Sequence, residues 1–392
     1  MRPMGVYIHI PFCVRKCVYC DFLSAPATRQ RQQAYVTALR GEIMQESTQY
    51  AQYEVGTIFF GGGTPSIVDA EEIAKILECL RKYYRIKDNA EITMEMNPGT
   101  ADAGKLLEYK KMGITRLSIG LQSADDAELK LLGRIHTYED FLRTYHQARE
   151  AGFSNINVDL MSALPGQGIK NWVRTLEKVS ALQPEHISAY SLIIEEGTLL
   201  HDRLDEYPPL PDEDEDRLMD QETRRILAEY GYRRYEISNY AKAGYECRHN
   251  SIYWQRGVRH TADFAGFGLG ASSTVGNMRW KNTDHMERYL SAFAEQNHTQ
   301  YNSLLTANVK EDIGKLSKGE QMEEFMFLGL RMTRGVSKQE FAESFGTSMD
   351  AVYGAVLENW IRQGMLAQEA DRVRLTDAGI DISNVVMADF LL

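Results

Sequence analysis

The sequence predicts an α/β protein built on a parallel β-sheet. Over roughly the first 200 of its 392 residues, short apolar or β-branched runs alternate with longer amphipathic stretches, and turns rich in Gly, Pro or Asn separate them. A series of βα units implies parallel strands joined by helices, in a sheet that either winds open or curls into a barrel. Periodicity does not distinguish these two forms. The hydrophobic content of 43% is sufficient for a large core.

Six strands and five helices are predicted in this part of the chain. The strands are GVYIHI (5–10), VGTIFF (55–60), EITMEM (91–96), RLSIGL (116–121), NINVDLM (155–161) and HISAYSLII (186–194). The helices lie near 30–49, 69–83, 102–112, 138–151 and 170–182, with Asp69 and Thr137 as N-cap residues of two of them.

Residues capable of chemistry lie at or just after the ends of the predicted strands. In chain order they are a cysteine cluster, Gly61-Gly62-Gly63-Thr64-Pro65, Glu95 with Asn97 and Pro98, Gln122-Ser123, Asp159, and Tyr190 to Glu195. The carboxyl ends of parallel strands form the active-site face in barrels and in open sheets. We therefore expect one mouth to gather three thiols, a glycine loop, two carboxylates and an amide.

The pattern changes beyond residue 200. The segment YPPLPDEDEDRL (207–218) is a Pro-rich, acidic connector, and its DEDED run suits the start of a helix. From about residue 320 the order helix, short helix, helix, hairpin, helix resembles a winged helix. Residues 320–392 contain six Lys/Arg and twelve Asp/Glu, a net charge of −6 that disfavours DNA binding. We interpret this part as a docking or covering domain.

The three cysteines Cys13, Cys17 and Cys20 lie in one C-x3-C-x2-C loop, and the other two, Cys79 and Cys247, are distant. Structural zinc sites usually combine two separated pairs of ligands, although His9 or Asp21 could supply a fourth ligand here. Three thiolates can instead hold three irons of a [4Fe–4S] cluster and leave the fourth iron open to an exogenous ligand.

Composition indicates a cytoplasmic protein that is not an integral membrane protein. No apolar run reaches about 18 residues, and MRPMGVYIHIPF lacks the pattern of a cleavable leader. In a reducing compartment, clustered cysteines more often bind metal or do redox chemistry than form disulfides. The net charge of −11 also argues against a general nucleic-acid-binding protein.

The cysteine loop resembles that of the radical S-adenosylmethionine (SAM) superfamily, in its CxxxCxxC spacing and in the aromatic Tyr19 before the last cysteine. The resemblance implies that Cys13, Cys17 and Cys20 hold a [4Fe–4S] cluster whose open iron chelates SAM. One electron from the reduced cluster would then cleave SAM to a 5′-deoxyadenosyl radical. Gly61 to Gly63 would let backbone amides approach the bound methionyl group.

Further motifs are similar to those of the anaerobic coproporphyrinogen III oxidase group. They are YIHIPFC, CVYCDF, FFGGGTPS, TMEMNPGT, SIGLQS, LLGRIHT and NVDLMSALPGQ. By this resemblance the SAM-binding residues would be Tyr7, Gly62, Gly63, Thr64, Glu95, Gln122, Arg134 and Asp159. It implies a partial (βα)6 TIM-like barrel of the radical SAM type over 1–205, an intermediate extension over 206–310, and a helical, winged-helix-like domain over 311–392.

Two features separate subgroups of this family. The oxidases carry a further cysteine two residues past the third ligand and a longer N-terminal extension, whereas this chain has Phe22 there and only six residues before Tyr7. Both features resemble the HemW-type haem chaperones, as does HNSIYW (249–254). His249 is then a candidate haem ligand, with Tyr253 and Trp254 flanking the macrocycle and Cys247 a less favoured second ligand.

A Gly-rich segment, FAGFGLGAS (264–272), follows that motif. It would admit either a flat ligand or another backbone closely, and it lacks the setting of a dinucleotide-binding loop.

The sequence thus favours a haem chaperone that binds haem as cargo and transfers it to client haemoproteins, including membrane-associated respiratory enzymes. Expected partners include an electron donor such as flavodoxin or ferredoxin. One alternative is oxygen-independent oxidative decarboxylation of coproporphyrinogen III, and another is a radical enzyme acting on an unrelated substrate.

Overall fold

The computed structural model describes residues 1–258, 263–293 and 309–392. Within these residues the main sheet has twelve strands in the order β12-β11-β10-β9-β1-β2-β3-β4-β5-β6-β8-β7. Strands β1 to β6 are parallel and consecutive, as the sequence predicts, and the two end strands of the described sheet do not pair with each other. The barrel is therefore partial and open, which confirms the predicted fold class.

The βα part follows the predicted order closely. Its strands are β1 (Arg2–Ile10), β2 (Tyr53–Gly62), β3 (Ile86–Met96), β4 (Arg116–Gln122), β5 (Ile156–Ser162) and β6 (His186–Ser191). Its helices are α1 (Arg29–Glu46), α2 (Ala70–Tyr83), α3 (Ala103–Lys111), α4 (Asp126–Leu131), α5 (Tyr138–Glu150) and α6 (Ile169–Ala181), with 3-10 turns at Ser47–Tyr50 and Pro65–Ile67.

Local chemistry accounts for these boundaries. Thr137 caps α5 in a full capping box with Asp140. Asp69 occupies the N-cap position of α2 without a capping hydrogen bond, because its carboxylate accepts from Nε of Arg29 at 2.6 Å. Along β1, alternate residues such as Val6 and Ile8 are fully buried in the core.

The next part extends the same sheet at both edges, in strands that the sequence did not predict. It contains α7 (Leu199–Asp202), a 3-10 turn at Leu204–Glu206, α8 (Glu213–Glu229), β7 (Arg233–Glu236), β8 (Asn239–Ala241), α9 (Arg248–Tyr253), β9 (Phe264–Phe267), β10 (Ser272–Val275), β11 (Met278–Asn282), α10 (Met286–Ala292) and β12 (Lys310–Lys315). The acidic DEDED run does start a helix, since Asp212 caps α8 in a capping box with Glu215.

The Gly-rich segment 264–272 accommodates backbone in this structure. A Cβ on Gly266 would lie 2.3 Å from the carbonyl oxygen of Ser272, so this glycine permits the tight β9–β10 connection. The sequence left two roles open for this segment, and the structure shows the close approach of another backbone segment.

The carboxy-terminal domain has its own core and a three-stranded sheet. Its elements are α11 (Lys318–Gly329), β13 (Val336–Ser337), α12 (Lys338–Phe345), α13 (Met349–Arg362), β14 (Leu366–Glu369), β15 (Arg372–Leu375), α14 (Asp377–Asp381) and α15 (Ser383–Ala388). This is the predicted winged-helix-like order, except that the last predicted helix is two short ones. The proposed boundaries at 205/206 and 310/311 stay predictions.

Candidate functional site

The cysteine loop lies between β1 and α1, at the carboxyl end of the parallel strands. Backbone hydrogen bonds hold it on two sides, from Cys13 N to Ala25 O at 3.2 Å and from Val18 N to Leu132 O at 3.3 Å. Cys13, Cys17 and Cys20 are all free and half-buried. The loop is thus anchored while its thiols stay accessible.

The glycine turn after β2 packs directly against this loop. Gly62 has φ +108°, and a Cβ there would lie 2.4 Å from the His9 ring; a Cβ on Gly63 would lie 2.6 Å from Phe12 O. Only glycine satisfies both the backbone angle at Gly62 and these approaches. The turn therefore brings its backbone into direct contact with His9 and with the start of the cysteine loop.

A chain of polar contacts joins the cysteine loop to three strand ends. The Thr64 hydroxyl lies 3.4 Å from Cys13 Sγ and accepts from Nδ2 of Asn97 at 2.9 Å. Arg134 Nη2 donates to Asn97 Oδ1 at 2.8 Å, and its Nη1 lies 3.6 Å from Cys17 Sγ. The Arg134 Nε is buried without a hydrogen-bond partner. A cation and unused donor capacity thus stand beside the thiols.

Two carboxylates lie deeper in the same opening. Glu95 Oε2 accepts from Gly62 N at 3.2 Å, and burial, followed by the charge of Asp159, raises the pKa of Glu95 to about 8. Burial likewise raises the pKa of Asp159, although Asn157 and Ser118 donate to it. A cationic ligand beside them would favour their charged carboxylate forms, which accept hydrogen bonds.

Tyr7 and Gln122 complete the set of predicted SAM contacts. Tyr7 OH lies 3.0 Å from His9 Nδ1, and its ring contacts the position a Gly61 side chain would occupy. Gln122 adopts a left-handed backbone conformation with φ 73°, and its Oε1 accepts from Tyr190 OH at 3.4 Å. The structure therefore brings the eight predicted residues to one opening above the strands.

The donor set fits a cluster better than a single zinc ion. His9 already uses both ring nitrogens, with Tyr7 OH and with Leu23 O at 2.9 Å, and Asp21 is exposed. In the described part of the chain, no three His, Cys, Asp or Glu side chains are grouped closely enough to hold one metal ion. Thiols that bind separate irons of a cluster need not converge on one point as zinc ligands do.

The predicted haem motif lies elsewhere, at the amino ends of the strands, where α9 closes the partial barrel. His249 is buried, with Nδ1 2.8 Å from Thr57 Oγ1, Nε2 2.7 Å from Tyr253 OH, and its ring stacked on Phe59. Burial lowers the pKa of His249 to about 3, so the ring is neutral. Because both nitrogens are engaged, His249 offers no free ligand atom here.

Cys247, the second predicted haem ligand, is also fully buried and lies 3.7 Å from Oε1 of Glu91. Burial raises the pKa of its thiol to about 12. Trp254 instead faces the carboxy-terminal domain, where the Arg331 guanidinium stacks 4.2 Å above its ring. The two ends of HNSIYW thus occupy different environments.

Two important polar residues, Glu91 and Arg116, were absent from the predicted residues, and Asn97 was predicted at its strand end but not as a SAM contact. Asn97 links Thr64 to Arg134, and Glu91 accepts from the backbone N–H groups of Arg248 and His249, which fixes the start of α9. Arg116 is a fully buried cation among these groups. The sequence pattern could have revealed Glu91 and Arg116. Side chains alternate along a strand, so Glu91 lies on the same inward face as Glu95, and Arg116 lies on the same inward face as Ser118.

This fold and this cysteine loop define a radical SAM protein. Residues 7–179 match the family model of the Radical SAM superfamily, and residues 316–382 match that of the HemN C-terminal domain. The superfamily implies a [4Fe–4S] cluster and SAM as cofactors. The chain belongs to the HemW family, on the following similarities.

Curated relatives match along the whole chain. The haem chaperone HemW of Bacillus subtilis is 35% identical, covering 99% of both chains, and that of Escherichia coli is 34% identical, covering 100% of this chain and 99% of the relative. Among solved structures, coproporphyrinogen III oxidase (HemN) from Escherichia coli has a TM-score of 0.84 at 23% identity, covering 100% of this chain and 90% of that one. At that identity the likeness concerns the fold.

No helix among the described residues combines the length and apolar character that a membrane crossing requires.

Proposed function

We propose that this protein is a haem chaperone that holds a [4Fe–4S] cluster and SAM, and that it transfers haem to client haemoproteins. The observation that carries the proposal is the anchored loop with three free thiols packed against the glycine turn, in a chain related over its full length to proteins named haem chaperones. The thiols of Cys13, Cys17 and Cys20 would hold the cluster.

The surrounding residues would bind and orient SAM. The backbone of Gly62 and Gly63 would line the methionyl group, Arg134 and Gln122 would supply donors for its carboxylate, and Glu95 and Asp159 would accept from its ammonium or from ribose hydroxyls. Tyr7 and Thr64 line the same opening. When bound, the cluster supplies a single electron to SAM.

Phe22 supports a carrier over an oxidase. It stands where the oxidase pattern has a further cysteine, and its ring is 68% exposed at the edge of the cysteine loop. A ring at this position cannot replace a thiol in metal binding or redox chemistry. The chain therefore lacks one group of the oxidase pattern while keeping all three cluster ligands.

We further propose a cytoplasmic location and reduction by a flavodoxin or ferredoxin. The clients would be haemoproteins, membrane-associated respiratory enzymes among them. Half-buried thiols at an open mouth suit electron delivery from a docked protein, since the cluster would lie near the surface.

The cluster is tested by anaerobic reconstitution of wild type, Cys20→Ser and Cys79→Ser. We expect close to four irons per chain in wild type, with an absorption spectrum that SAM perturbs. Cys20→Ser should lose most of the iron, whereas Cys79→Ser, a buried control on α2, should keep it. One zinc and no iron in wild type would contradict the cluster.

The carrier function is tested by two assays on the reconstituted full-length protein. Haem titration followed by absorption should show stable binding, and the bound haem should pass to an apo-haemoprotein acceptor. Anaerobic incubation with coproporphyrinogen III, SAM and a reductant should yield no protoporphyrinogen. Turnover of coproporphyrinogen would overturn the proposal in favour of the oxidase.

A further inference from the structure

A cleft separates the loop after α9 from the carboxy-terminal domain. Its volume of about 370 Å³ falls within the range of roughly 300–1,000 Å³ of small-ligand and cofactor sites. Its walls come from the loop at Trp254, from α11 and from α15. The lining is mostly apolar, with Trp254, Phe327, Leu328, Arg331, Met387 and Leu391 as its main residues.

The aromatic and sulfur side chains suit a flat, apolar ring. Trp254 and Phe327 contribute two aromatic surfaces, which bind planar macrocycles by stacking or edge contacts. Met387 contributes a thioether, one of the side-chain types that ligate haem iron. Leu391 is 59% exposed, so the cleft can be reached from solvent.

The positive charge of Arg331 favours a ligand with an anionic group on that side of the cleft. Arg331 is the charged side chain among the described residues of the lining, and it stacks on Trp254. Its nearest carboxylate, on Glu236, is 3.8 Å away, and Arg331 Nε is buried without a hydrogen-bond partner, as is Trp254 Nε1. The Arg331 side chain is 26% exposed despite this ion pair, so the exposed part of its guanidinium can bind a carboxylate such as a haem propionate.

We propose that this cleft is where haem is carried, with the macrocycle against Trp254 and Phe327 and a propionate on Arg331. This inference rests on the proposed function and gives its cargo a position. It also separates the roles of HNSIYW: His249 closes the barrel, and Trp254 serves the cargo. A shallow cleft suits a carrier, because haem must leave it again.

The test is haem titration of wild type, Leu391→Glu and Val385→Glu, all reconstituted full-length proteins. Leu391 and Val385 are equally exposed, at 59% and 58%, but only Leu391 lines the cleft. We expect Leu391→Glu to weaken haem binding roughly tenfold or more, since its carboxylate would meet an apolar ring and the propionates. Val385→Glu should bind as wild type does.

Haem dimethyl ester supplies a second readout for Arg331. Arg331→Gln should weaken binding of haem but not of the ester, which has no carboxylate for the guanidinium.

If wild type binds no haem, the proposed function fails. If wild type binds haem and Leu391→Glu matches Val385→Glu, the carrier function stands and this cleft is not its site. If Leu391→Glu binds haem as wild type does but no longer transfers it to an acceptor, the cleft is a client-docking surface and the proposal is overturned.

Discussion

The phenol oxygen of Tyr253 lies 2.7 Å from Nε2 of His249, and this pair closes the amino end of the partial barrel. With Thr57 on Nδ1 and Phe59 against its ring, the histidine is fully enclosed by the protein. Its arrangement is that of a packed core residue.

His249→Ala is therefore expected to act on stability before it acts on haem. Removing the ring leaves the Thr57 and Tyr253 hydroxyls without their partner and opens a cavity, which should lower the free energy of unfolding by about 2–4 kcal/mol. Thermal unfolding and haem titration of the same preparations measure the two effects. Loss of haem binding at unchanged stability would instead establish His249 as a haem ligand.

Arg134→Gln should weaken SAM binding and leave the cluster in place. The variant removes a half-buried positive charge beside Cys17 and Asn97, while the three thiols stay intact. We expect a loss of SAM affinity of at least about tenfold, since charge-assisted bonds contribute roughly 1.5–3 kcal/mol. Equilibrium binding with radiolabelled SAM measures it, and iron content is the internal control. Lys105→Gln, a matched removal of one positive charge away from the thiols, should bind SAM normally.

The raised pKa of Glu95 predicts a pH dependence of stability. The folded protein keeps this proton up to about pH 8, whereas the ordinary pKa of 4.5 applies after unfolding. Between these two pKa values the folded state binds more protons than the unfolded state does, so wild type loses stability as the pH rises from 4.5 towards 8. Glu95→Gln cannot titrate. Its melting temperature relative to wild type should therefore rise between pH 6 and pH 8; a constant difference would contradict the raised pKa.

Glu42 anchors the strand extension to α1. Its buried carboxyl accepts from Gly268 N at 2.8 Å, from Asn282 Nδ2 and from Tyr289 OH. Glu42→Ala leaves these three donors unpaired, so the free energy of unfolding should fall by about 2–4 kcal/mol. Gln33→Ala, at an exposed position of the same helix, is the control and should change it by less than about 0.5 kcal/mol. Urea denaturation at pH 7 distinguishes the two.

The central βα series was predictable because its signals are local. Each of the six strands alternates or runs apolar over several residues, and helices such as α5 begin at recognisable caps. The grouping of the candidate site residues could be predicted for the same reason, since Cys13, Gly62, Glu95 and Gln122 each lie at or just after the carboxyl end of such a strand.

The edge strands escaped prediction for a physical reason. β7, β8 and β9 are only three or four residues long, and the strands that join them to the predicted sheet are distant in the chain: β8 pairs with β6, and β9 pairs with β1. Such short segments carry too few residues for a periodic signal, and tertiary pairing decides their conformation. The position of HNSIYW was equally non-local, because Thr57 and Glu91 that hold it are more than 150 residues away.

The carboxy-terminal domain also shields an edge of the main sheet. β7 is the last strand on its side, and the segment after α11 lies along it: Thr333 N donates to Tyr235 O at 3.0 Å, and Ile237 N donates to Arg331 O at 3.1 Å. An uncovered edge would present free N–H and C=O groups to other chains. A version shortened before α11 would therefore expose the edge of β7 to pairing with other chains, an edge that the carboxy-terminal domain occupies in this structure.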